Sequence, residues 1–310
     1  MTRHFLTITD LNEAELRGLL DRAAAHKRGR IGSVVLRDQT IALVFQKPSM
    51  RTRVAFEVAV LQLGGSVVYL GQDDIQLGQR EPMTDVARVL SRYVQGIVLR
   101  TFGHQDAETF ARAATVPVIN GLSDLVHPCQ ALADMLTLQE AFGRLQGLRV
   151  GFVGDGNNVL HSLAEAAAML GVSVAVAAPK GYDPDPSLWK AAAQVAARHS
   201  ATLTLGRDPA DAVRGADAVY TDVWVSMGQE YQRAKRLKAF KGYQLNDALL
   251  KRAKPGCRIL HCLPAHRGEE ITDELMESRR SLIIDQAENR LHAQKALLEF
   301  LFSPKGAHGR

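Results

Sequence analysis

Short apolar runs rich in β-branched residues alternate along this chain with longer stretches of helical periodicity. Thr40–Phe45 and Ser66–Leu70 are two such runs, and a predicted helix over 51–63 separates them. This alternation is typical of strand–helix–strand units, which build parallel sheets. The pattern pauses between 130 and 145 and restarts with Arg149–Val153. We therefore predict an α/β protein of two domains, each a parallel β-sheet flanked by helices, with the active site in the interdomain cleft.

Local signals predict the two ends of the chain. Asp10 is expected to cap the first helix, with Glu13 at the capping-box position. Leu282–Ile284 is expected to be a late strand, followed by a closing helix over Leu291–Phe302. A chain of 310 residues is long enough for two domains.

Charge and composition exclude several classes of protein. Thirty-eight Lys and Arg residues oppose 33 Asp and Glu, which gives a formal net charge of +5 without any basic tract. A nucleic-acid-binding chain would show a basic stripe, so we expect no nucleic-acid partner. No apolar run approaches transmembrane length and the N-terminus lacks a signal-peptide core, so we expect a cytoplasmic protein with no membrane partner. Three cysteines, an odd number, imply no disulfide framework.

Polar loops with rare residue types follow the predicted strands. Ligands of open α/β sheets bind beyond the carboxyl ends of the strands, so these loops are where a site is expected. The distinctive loops are 46–53, 100–104, 121–130, 154–158, 222–228 and 261–266.

The loop after the first strand is suited to an anion. Ser49, Arg51 and Thr52 stand at the start of a predicted helix, whose free N–H groups and positive dipole end attract phosphate. Arg51 and Arg53 are two residues apart and cannot share one helix face. We therefore assign Arg51 to the anion and pair Arg53 with Glu57. A Ser-capped helix with surface arginines fits the same residues and stays open.

Two other loops of the first half offer groups for a small polar ligand. Arg100 stands at a strand end and can contact an anionic or polarised oxygen. His127 can hydrogen-bond a carbonyl, and Gln130 can bond an amide NH2. A rim ion pair, a satisfied loop histidine and a helix-start glutamine are the structural alternatives.

The second half of the chain offers a clamp for an amino acid. Asp222 can accept from an ammonium group, Ser226 can bond the same group, and the Met227 N–H can face a carboxylate. Asn158 places an amide at a helix N-terminus, which also suits a carboxylate. Cys262 adds a thiol at a strand end. A turn capped by Asp222 is the structural alternative.

Neither a dinucleotide nor a metal is expected. The glycines of 151–156 do not have G-x-G-x-x-G spacing. His261 and Cys262 are neighbours on a strand, so we expect them to point in opposite directions. Cys257 and Cys129 are expected to pack in the core. No C-x2-C or H-x3-H pair occurs among the candidate ligands His127, Cys129, His261, Cys262 and His266.

Four motifs run in order along nearly the whole chain. They are Phe45-x-x-Pro-Ser-x-Arg-Thr-Arg53, His127-Pro-Cys-Gln130, Asp222-Val-Trp-x-Ser-Met-Gly228 and His261-Cys-Leu-Pro264, and the match ends with 285–290. On these motifs the chain resembles the aspartate/ornithine carbamoyltransferases. The last two motifs resemble the ornithine branch of that family.

The resemblance implies transfer of the carbamoyl group from carbamoyl phosphate to the δ-amine of L-ornithine. The products would be L-citrulline and phosphate, in arginine biosynthesis. It also implies a homotrimer, or a multiple of trimers, without metal or organic cofactor. The implied domains are a carbamoyl-phosphate domain of 1–130 plus 286–310, an ornithine domain of 143–285 and a linking helix over 131–142.

By the same resemblance, each substrate has its own set of residues. The carbamoyl-phosphate set is Ser49, Met50 through its backbone, Arg51, Thr52, Arg100, His127, Gln130, Leu263 through its carbonyl, and Arg290. The ornithine set is Asn158, Asp222, Ser226, Met227 and Cys262. The groups expected to act in the reaction are Arg51, Arg100, His127, Asp222 and Cys262. Either Asp222 or Cys262 can assist removal of the δ-amine proton.

Two departures from the family pattern and three alternatives stay open. Met50 stands where many members carry Thr, so a hydroxyl contact is lost while the backbone N–H remains. Residues 77–82 fall where relatives carry a mobile loop, in which Gln79 or Arg80 is a candidate for substrate contact. A sister enzyme acting on N-acetylornithine, succinylornithine or putrescine is the nearest alternative. A Rossmann-type oxidoreductase and an inactive ligand sensor are more remote.

Overall fold

Two sheets of parallel strands organise this chain. The computed structural model describes residues 2–29, 32–78, 80–226 and 228–303. The chain divides into unit 1, which combines 1–136 with 288–310, and unit 2, which spans 137–287. The predicted α/β class with two parallel sheets flanked by helices is confirmed.

Nine strands and thirteen α-helices are found among the described residues. The strands are β1 Thr40–Phe45, β2 Ser66–Leu70, β3 Gly96–Arg100, β4 Val118–Leu122, β5 Arg149–Val153, β6 Ser173–Ala177, β7 Leu203–Gly206, β8 Ala218–Thr221 and β9 Arg258–His261. The helices are α1 Glu13–Lys27, α2 Met50–Gln62, α3 Gln72–Ile75, α4 Met83–Tyr93, α5 His104–Ala113, α6 Pro128–Phe142, α7 Asn158–Met169, α8 Pro186–Arg198, α9 Pro209–Val213, α10 Arg233–Ala239, α11 Asp247–Leu250, α12 Asp273–Met276 and α13 Ile283–Phe302.

The sheet of unit 1 has the strand order β2-β1-β3-β4. The two inner strands, β1 and β3, are buried along almost their whole length, as expected for a parallel sheet covered on both faces. Phe45 pairs with Arg100, so the segments that follow β1 and β3 leave the sheet at the same edge. Arg100 also pairs with Leu122, which brings the segment after β4 to that edge.

The sheet of unit 2 has the strand order β7-β6-β5-β8-β9. Thr221 pairs with His261, so Asp222 and Cys262 follow neighbouring strands at matching positions. Close packing explains two glycines of 151–156. A Cβ at Gly151 would lie 2.7 Å from Ala212 O, and one at Gly156 would lie 2.2 Å from Pro184 N. These glycines therefore serve helix–sheet and loop packing in this fold.

Each unit has its own apolar core. In unit 1, Ala42, Val44 and Leu99 of the inner strands pack with Phe110 of α5. In unit 2, residues of β5, β8 and β9 pack with residues of the short helices α9, α11 and α12, namely Val153, Val219, Ile259, Val213, Leu250 and Leu275. These cores hold the strand ends in place, and the loops with the candidate site residues begin there.

Two local predictions are wrong. Asp10 does not cap α1: its Oδ2 accepts from Leu6 N and Thr7 N and closes a 3₁₀ turn over Ile8–Asp10. The cap of α1 is Asn12, whose Oδ1 accepts from Glu15 N at 2.9 Å. Both candidate caps have an acid three residues later: Glu13 follows Asp10, and Glu15 follows Asn12. The folded structure uses Asn12 as the cap.

The predicted strand Leu282–Ile284 is also wrong, because α13 begins at Ile283. Only a single bridge, between Ile259 and Ser281, continues the sheet there. Gln286 N then donates to Leu282 O at 2.7 Å, which starts the helix. Ile283 is buried in the core, whereas Ile284 is 74% exposed. The three apolar residues are therefore the first turn of an amphipathic helix rather than a buried strand.

Among the described residues, no helix combines the length and the apolar character that a membrane crossing requires.

Candidate active site

The start of α2 and the segments after β3 and β4 bring a group of polar residues together in unit 1. Ser49 is the N-cap of α2, and its Oγ accepts from Thr52 N at 3.3 Å. Arg290 of α13 donates from Nη2 to Thr52 Oγ1 at 2.8 Å, across 238 positions of sequence. The basic cluster is the set Ser49, Arg51, Thr52, Arg100, His127, Gln130 and Arg290.

His127 lies in an electropositive, buried environment. Burial lowers the pKa of His127 well below its usual range, and the guanidinium groups of Arg290, Arg100 and Arg51 lower it further. The imidazole is therefore neutral at physiological pH and carries a single N–H for donation. Three positive side chains around a neutral donor form a site that attracts an anion with a polarised oxygen.

Gln130 contributes an acceptor to this basic environment. Its side chain is 1% exposed, and Nε2 donates to Asp134 Oδ1 at 2.8 Å. This bond turns the amide so that Oε1 is the remaining polar atom, and Oε1 makes no hydrogen bond to any residue in the described part of the chain. A buried carbonyl oxygen of this kind is suited to an N–H donor such as a primary amide.

Met50 is the first residue of α2, and its side chain is 69% exposed. Its backbone N–H belongs to the first turn, where helical N–H groups have no partner within the helix. Arg53 donates from Nε to Glu57 Oε1 at 2.8 Å, as predicted, and is exposed. The two arginines of this turn therefore differ in role, because only Arg51 acts on His127.

In unit 2, Asp222 is the centre of a second group. Its Oδ1 accepts from Cys262 Sγ at 3.0 Å and from Val223 N at 2.8 Å. Its Oδ2 accepts from Asn157 Nδ2 at 2.7 Å. The acid–thiol cluster is the set Asn157, Asp222 and Cys262. The three donors to Asp222 are neutral: Cys262 Sγ, Val223 N and Asn157 Nδ2. They orient one buried carboxylate, which can also accept from a cationic amine.

A buried ion pair supports the segment that follows Asp222. Arg236 of α10 donates from Nη1 to Asp155 Oδ2 at 2.8 Å and to Trp224 O at 2.9 Å. Burial raises the pKa of Asp155 to about 6, with Asp222 adding to the increase and Arg236 opposing it. Arg236 thus fastens the loop after β8 to the loop after β5.

The remaining predicted residues occupy the ends of strands and helices. Asn158 is the first residue of α7, and Ser226 lies in the loop after β8, where Gln229 N donates to its carbonyl at 3.0 Å. Met227 and Gln79 lie outside the described residues. Leu263 lies in unit 2, unlike the rest of the predicted carbamoyl-phosphate set, and has a left-handed φ of 60° before a cis proline.

The expectation that His261 and Cys262 point apart is wrong. One ligand atom from each of Asp222, His261 and Cys262 lies within 4.8 Å of the others. His261 Nδ1 accepts from Leu263 N at 2.9 Å, so Nε2 carries the proton and faces Glu270 Oε1 at 3.1 Å. Both nitrogens of His261 therefore have protein partners, and its chemistry is that of a positioning group for the loop 261–264.

The other two cysteines are buried away from such partners. Burial raises the pKa of Cys129 to about 12 and that of Cys257 to about 12. A thiol with such a pKa is not a nucleophile at neutral pH, which agrees with a packing role.

Four residues of these sites were not predicted. Asn157, rather than its neighbour Asn158, contacts Asp222, and it does so as the N-cap of α7. Lys47 lies over the Phe102 ring at 4.6 Å, and burial lowers its pKa, with Arg100 adding to the effect. Asp155 and Arg236 are the other two. Position after a strand could have suggested Lys47 and Asp155, but no local signal marks Arg236.

Comparisons with known proteins match both units. The carbamoyl-P binding domain of aspartate/ornithine carbamoyltransferase matches residues 3–140, and the Asp/Orn binding domain of the same family matches 146–301. The ornithine carbamoyltransferase of Acidothermus cellulolyticus is 53% identical over 310 residues, covering 100% of this chain and 99% of that protein.

A sequence match and a structure match from Pyrococcus furiosus extend the comparison. A protein named anabolic ornithine carbamoyltransferase is 51% identical over 299 residues, and the match covers 96% of this chain and 95% of that protein. A solved structure of ornithine carbamoyltransferase from that organism has a TM-score of 0.92 at 50% identity and covers 96% of both chains. Identity at this level over full-length chains, with both family domains matched, means that this chain belongs to the aspartate/ornithine carbamoyltransferase family.

Proposed function

We propose that this chain is an ornithine carbamoyltransferase, which transfers the carbamoyl group of carbamoyl phosphate to the δ-amine of L-ornithine. The products are L-citrulline and phosphate, and the physiological role is arginine biosynthesis. The observation that carries the proposal is the pair of clusters: a basic one in the unit matched by the carbamoyl-P domain, and an acid–thiol one in the unit matched by the Asp/Orn domain.

In this proposal the basic cluster binds carbamoyl phosphate. The phosphate lies at the N-terminus of α2, where Ser49, Thr52, the Met50 N–H and Arg51 supply donors and positive charge. The carbamoyl oxygen accepts from His127 and Arg100, and the carbamoyl NH2 donates to Gln130 Oε1. Arg290 holds Thr52 in place at 2.8 Å. The Leu263 carbonyl is a second acceptor for the NH2 group.

The arrangement of donors suits the chemistry of carbamoyl transfer. Attack by the amine pushes negative charge onto the carbamoyl oxygen, and cleavage of the C–O bond leaves that charge on phosphate. Three donors stabilise the negative charge on both the carbamoyl oxygen and the phosphate: Arg51, Arg100 and the neutral His127. None of them has to give up a proton to do so. The amine loses a proton as the C–N bond forms, and phosphate departs with the electron pair of the cleaved bond.

The acid–thiol cluster binds the amino acid. Asp222 accepts from the α-ammonium group, Ser226 bonds the same group, and Asn158 with the Met227 N–H receives the α-carboxylate. A free alkylammonium has a pKa of about 10.4, so the site must select the neutral δ-amine or accept its proton. Cys262 and Asp222 are both candidates for that step because they share a hydrogen bond of 3.0 Å.

Assembly and location are also proposals. We propose a homotrimer, supported by exposed apolar residues of unit 1: Val54 and Leu61 of α2 and Val68 of the edge strand β2 are 45–63% exposed. Exposed apolar groups beside an open sheet edge are typical of a surface that another subunit covers. A mass in solution of three times the 33.9 kDa of one chain would support it. The cytoplasm is the proposed compartment.

A substrate panel tests the proposed reaction. Purified protein is given carbamoyl phosphate with ornithine, N-acetylornithine, succinylornithine, putrescine or aspartate, and both phosphate and the carbamoylated amine are measured. We expect turnover with ornithine at least 100-fold above the others. Higher turnover with N-acetylornithine or putrescine would replace ornithine as the substrate, because neither offers the free α-ammonium and carboxylate together. No turnover with any amine would contradict the proposal.

A further inference from the structure

The turn that follows the loop 261–264 carries three side chains with the chemistry of a divalent-cation site. His266, Glu269 and Glu270 each offer one nitrogen or oxygen ligand atom, and these atoms all lie within 4.8 Å of one another. Ligand atoms about 2.1 Å from a divalent ion are roughly 3–4 Å apart, so small side-chain rotations bring the three groups to ligating distance. We propose that this group, the His–Glu–Glu cluster, binds a divalent cation in unit 2.

Glu270 is the observation that points to a ligand. Its side chain is fully buried, and Oε1 accepts from His266 N at 2.6 Å and faces His261 Nε2 at 3.1 Å. Its other oxygen, Oε2, is buried and makes no hydrogen bond to any described residue. A buried carboxylate oxygen without a donor is costly unless a cation or another donor meets it.

His266 and Glu269 each have one polar atom that is not committed to a hydrogen bond within the described ranges. His266 Nδ1 and Glu269 Oε2 are 3.7 Å apart, and within the described ranges neither makes a hydrogen bond. Glu269 pairs through Oε1 with Arg233, which leaves Oε2 for a second partner. His266 and Glu269 are 40% and 21% exposed in their side chains, so an ion can reach the cluster from solvent.

Hydrogen bonds from the protein itself hold the backbone of this turn. Gly268 N donates to Ile271 O at 2.8 Å, and Glu269 N donates to His266 O at 2.9 Å. Gln244 Nε2 donates to Gly268 O and to Glu269 O from outside the turn. Gly268 has a φ of +85°, a conformation that favours glycine. Such preorganisation reduces the entropy that cation binding must offset.

The donor set selects the class of ion. Two carboxylates and one imidazole, with no sulfur, suit a cation such as Mn²⁺, which prefers oxygen ligands and tolerates imidazole. Three protein ligands leave further coordination positions for water. A second group of possible ligands, Asp222, His261 and Cys262, has a different donor set. It includes a thiol, which prefers softer ions. Mn²⁺ is therefore expected to bind the His–Glu–Glu cluster in preference to the group with the thiol, whereas a thiophilic ion would not distinguish them as well.

Binding of Mn²⁺ followed by electron paramagnetic resonance tests the proposal, since free Mn²⁺ gives a sharp signal that binding removes. We expect one Mn²⁺ per chain in the wild type. His266→Asn and Glu269→Gln should each weaken binding at least tenfold, and both sites are accessible enough for the variants to fold. Glu270→Gln should weaken it more, provided that circular dichroism shows a native fold.

Two controls make the outcome decisive. Glu274→Gln removes an exposed carboxylate nearby and should leave Mn²⁺ affinity unchanged. Cys262→Ser removes the thiol of the other group and should also leave it unchanged. Less than one tenth of an equivalent of bound Mn²⁺ in the wild type, or wild-type affinity in both His266→Asn and Glu269→Gln, would overturn the proposal. Loss of Mn²⁺ in Cys262→Ser alone would assign the ion to the other group and overturn it as well.

Discussion

Asp222 shows how one residue can organise a site. Its two oxygens accept from Cys262 Sγ, Val223 N and Asn157 Nδ2, all at 2.7–3.0 Å. These donors are neutral, so they orient the carboxylate without supplying a positive charge. In the proposed function, the ammonium group of the amino-acid substrate supplies that charge.

Replacement of Asp222 by Asn tests this role. The amide has the same shape as the carboxylate, but it carries no negative charge to pair with an ammonium ion. Its NH2 group would also face a donor in place of an acceptor. We expect the KM for ornithine to rise by roughly 10- to 100-fold, as for loss of a charged hydrogen bond. The KM for carbamoyl phosphate should change less than threefold. Steady-state kinetics with each substrate varied in turn measures both values, and equal losses would contradict the division between the units.

Arg51 is the residue of unit 1 with the clearest test. Arg51→Ala removes a positive donor from the basic cluster, so we expect kcat/KM for carbamoyl phosphate to fall by about 10²–10³-fold. Arg53→Ala is the matched control, since Arg53 pairs with Glu57 at 2.8 Å on the exposed side of the same helix. In Arg53→Ala we expect kcat/KM for carbamoyl phosphate to change less than fivefold. A similar loss in both variants would indicate general damage to α2 instead.

At the scale of elements, α10 is tied to two loops by one side chain. Arg236 bonds both Asp155 Oδ2 and Trp224 O, and Trp224 stacks on Phe240 with ring centroids 5.7 Å apart. The loop that contains Asp222 and Ser226 therefore rests on α10. Loss of this support should affect ornithine binding through the loop without any direct contact between Arg236 and the substrate.

The pH dependence of stability tests the Asp155–Arg236 pair. The pKa of Asp155 is raised to about 6 in the folded protein. An acid whose pKa rises on folding holds its proton more tightly when folded, so its contribution to the free energy of unfolding is largest below about pH 3.9. That contribution declines as pH rises through 6 and is constant above it. Urea unfolding between pH 4 and 8 measures this slope.

Arg236→Leu should extend that decline to higher pH, because Arg236 opposes the increase in the Asp155 pKa. Removing one partner of a buried pair is also expected to cost about 3–5 kcal/mol near neutral pH. Lys235→Leu, at an exposed position of the same helix, should change neither quantity appreciably. A variant Arg236→Leu with the wild-type pH slope would contradict the prediction.

At the scale of the whole molecule, the first and last helices, α1 and α13, meet in unit 1. Arg22 of α1 bonds Glu299 of α13 through Nε at 2.5 Å and through Nη2 at 2.6 Å, across 277 positions. His26 Nε2 is 2.8 Å from the same carboxylate. Burial alone would raise the pKa of Glu299, but hydrogen bonds from Arg22, His26 and Ser33 hold it well below the usual range.

Glu299→Gln tests this connection. A depressed pKa in the folded state stabilises the protein above the unfolded pKa of about 4.3, and the contribution is lost as pH falls below that value. We expect the variant to lose about 1–3 kcal/mol at pH 7, with a smaller difference at pH 3. Glu288→Gln, at a more exposed site on α13, is the control. An undiminished difference at low pH would rule out the ionic explanation.

Much of the fold could be predicted because its signals are local. The strands Thr40–Phe45 and Arg149–Val153 have the predicted bounds, since buried parallel strands appear as uninterrupted apolar runs. The start of α13 could not be recognised this way. Its first apolar residues look like a strand, and only packing of Ile283 into the core with Ile284 exposed distinguishes the two.

The sequence by itself determined the α/β class, the two parallel sheets and the family, because strand and helix periods and strand-end motifs are properties of neighbouring residues. Only the tertiary structure decided which polar groups meet. It paired Asn157 with Asp222, placed Arg236 on Asp155, turned His261 toward Glu270 and joined Glu299 to Arg22. Such pairs join residues up to 277 positions apart, and burial makes each of them costly to leave unsatisfied. Their partners therefore depend on how the whole core packs.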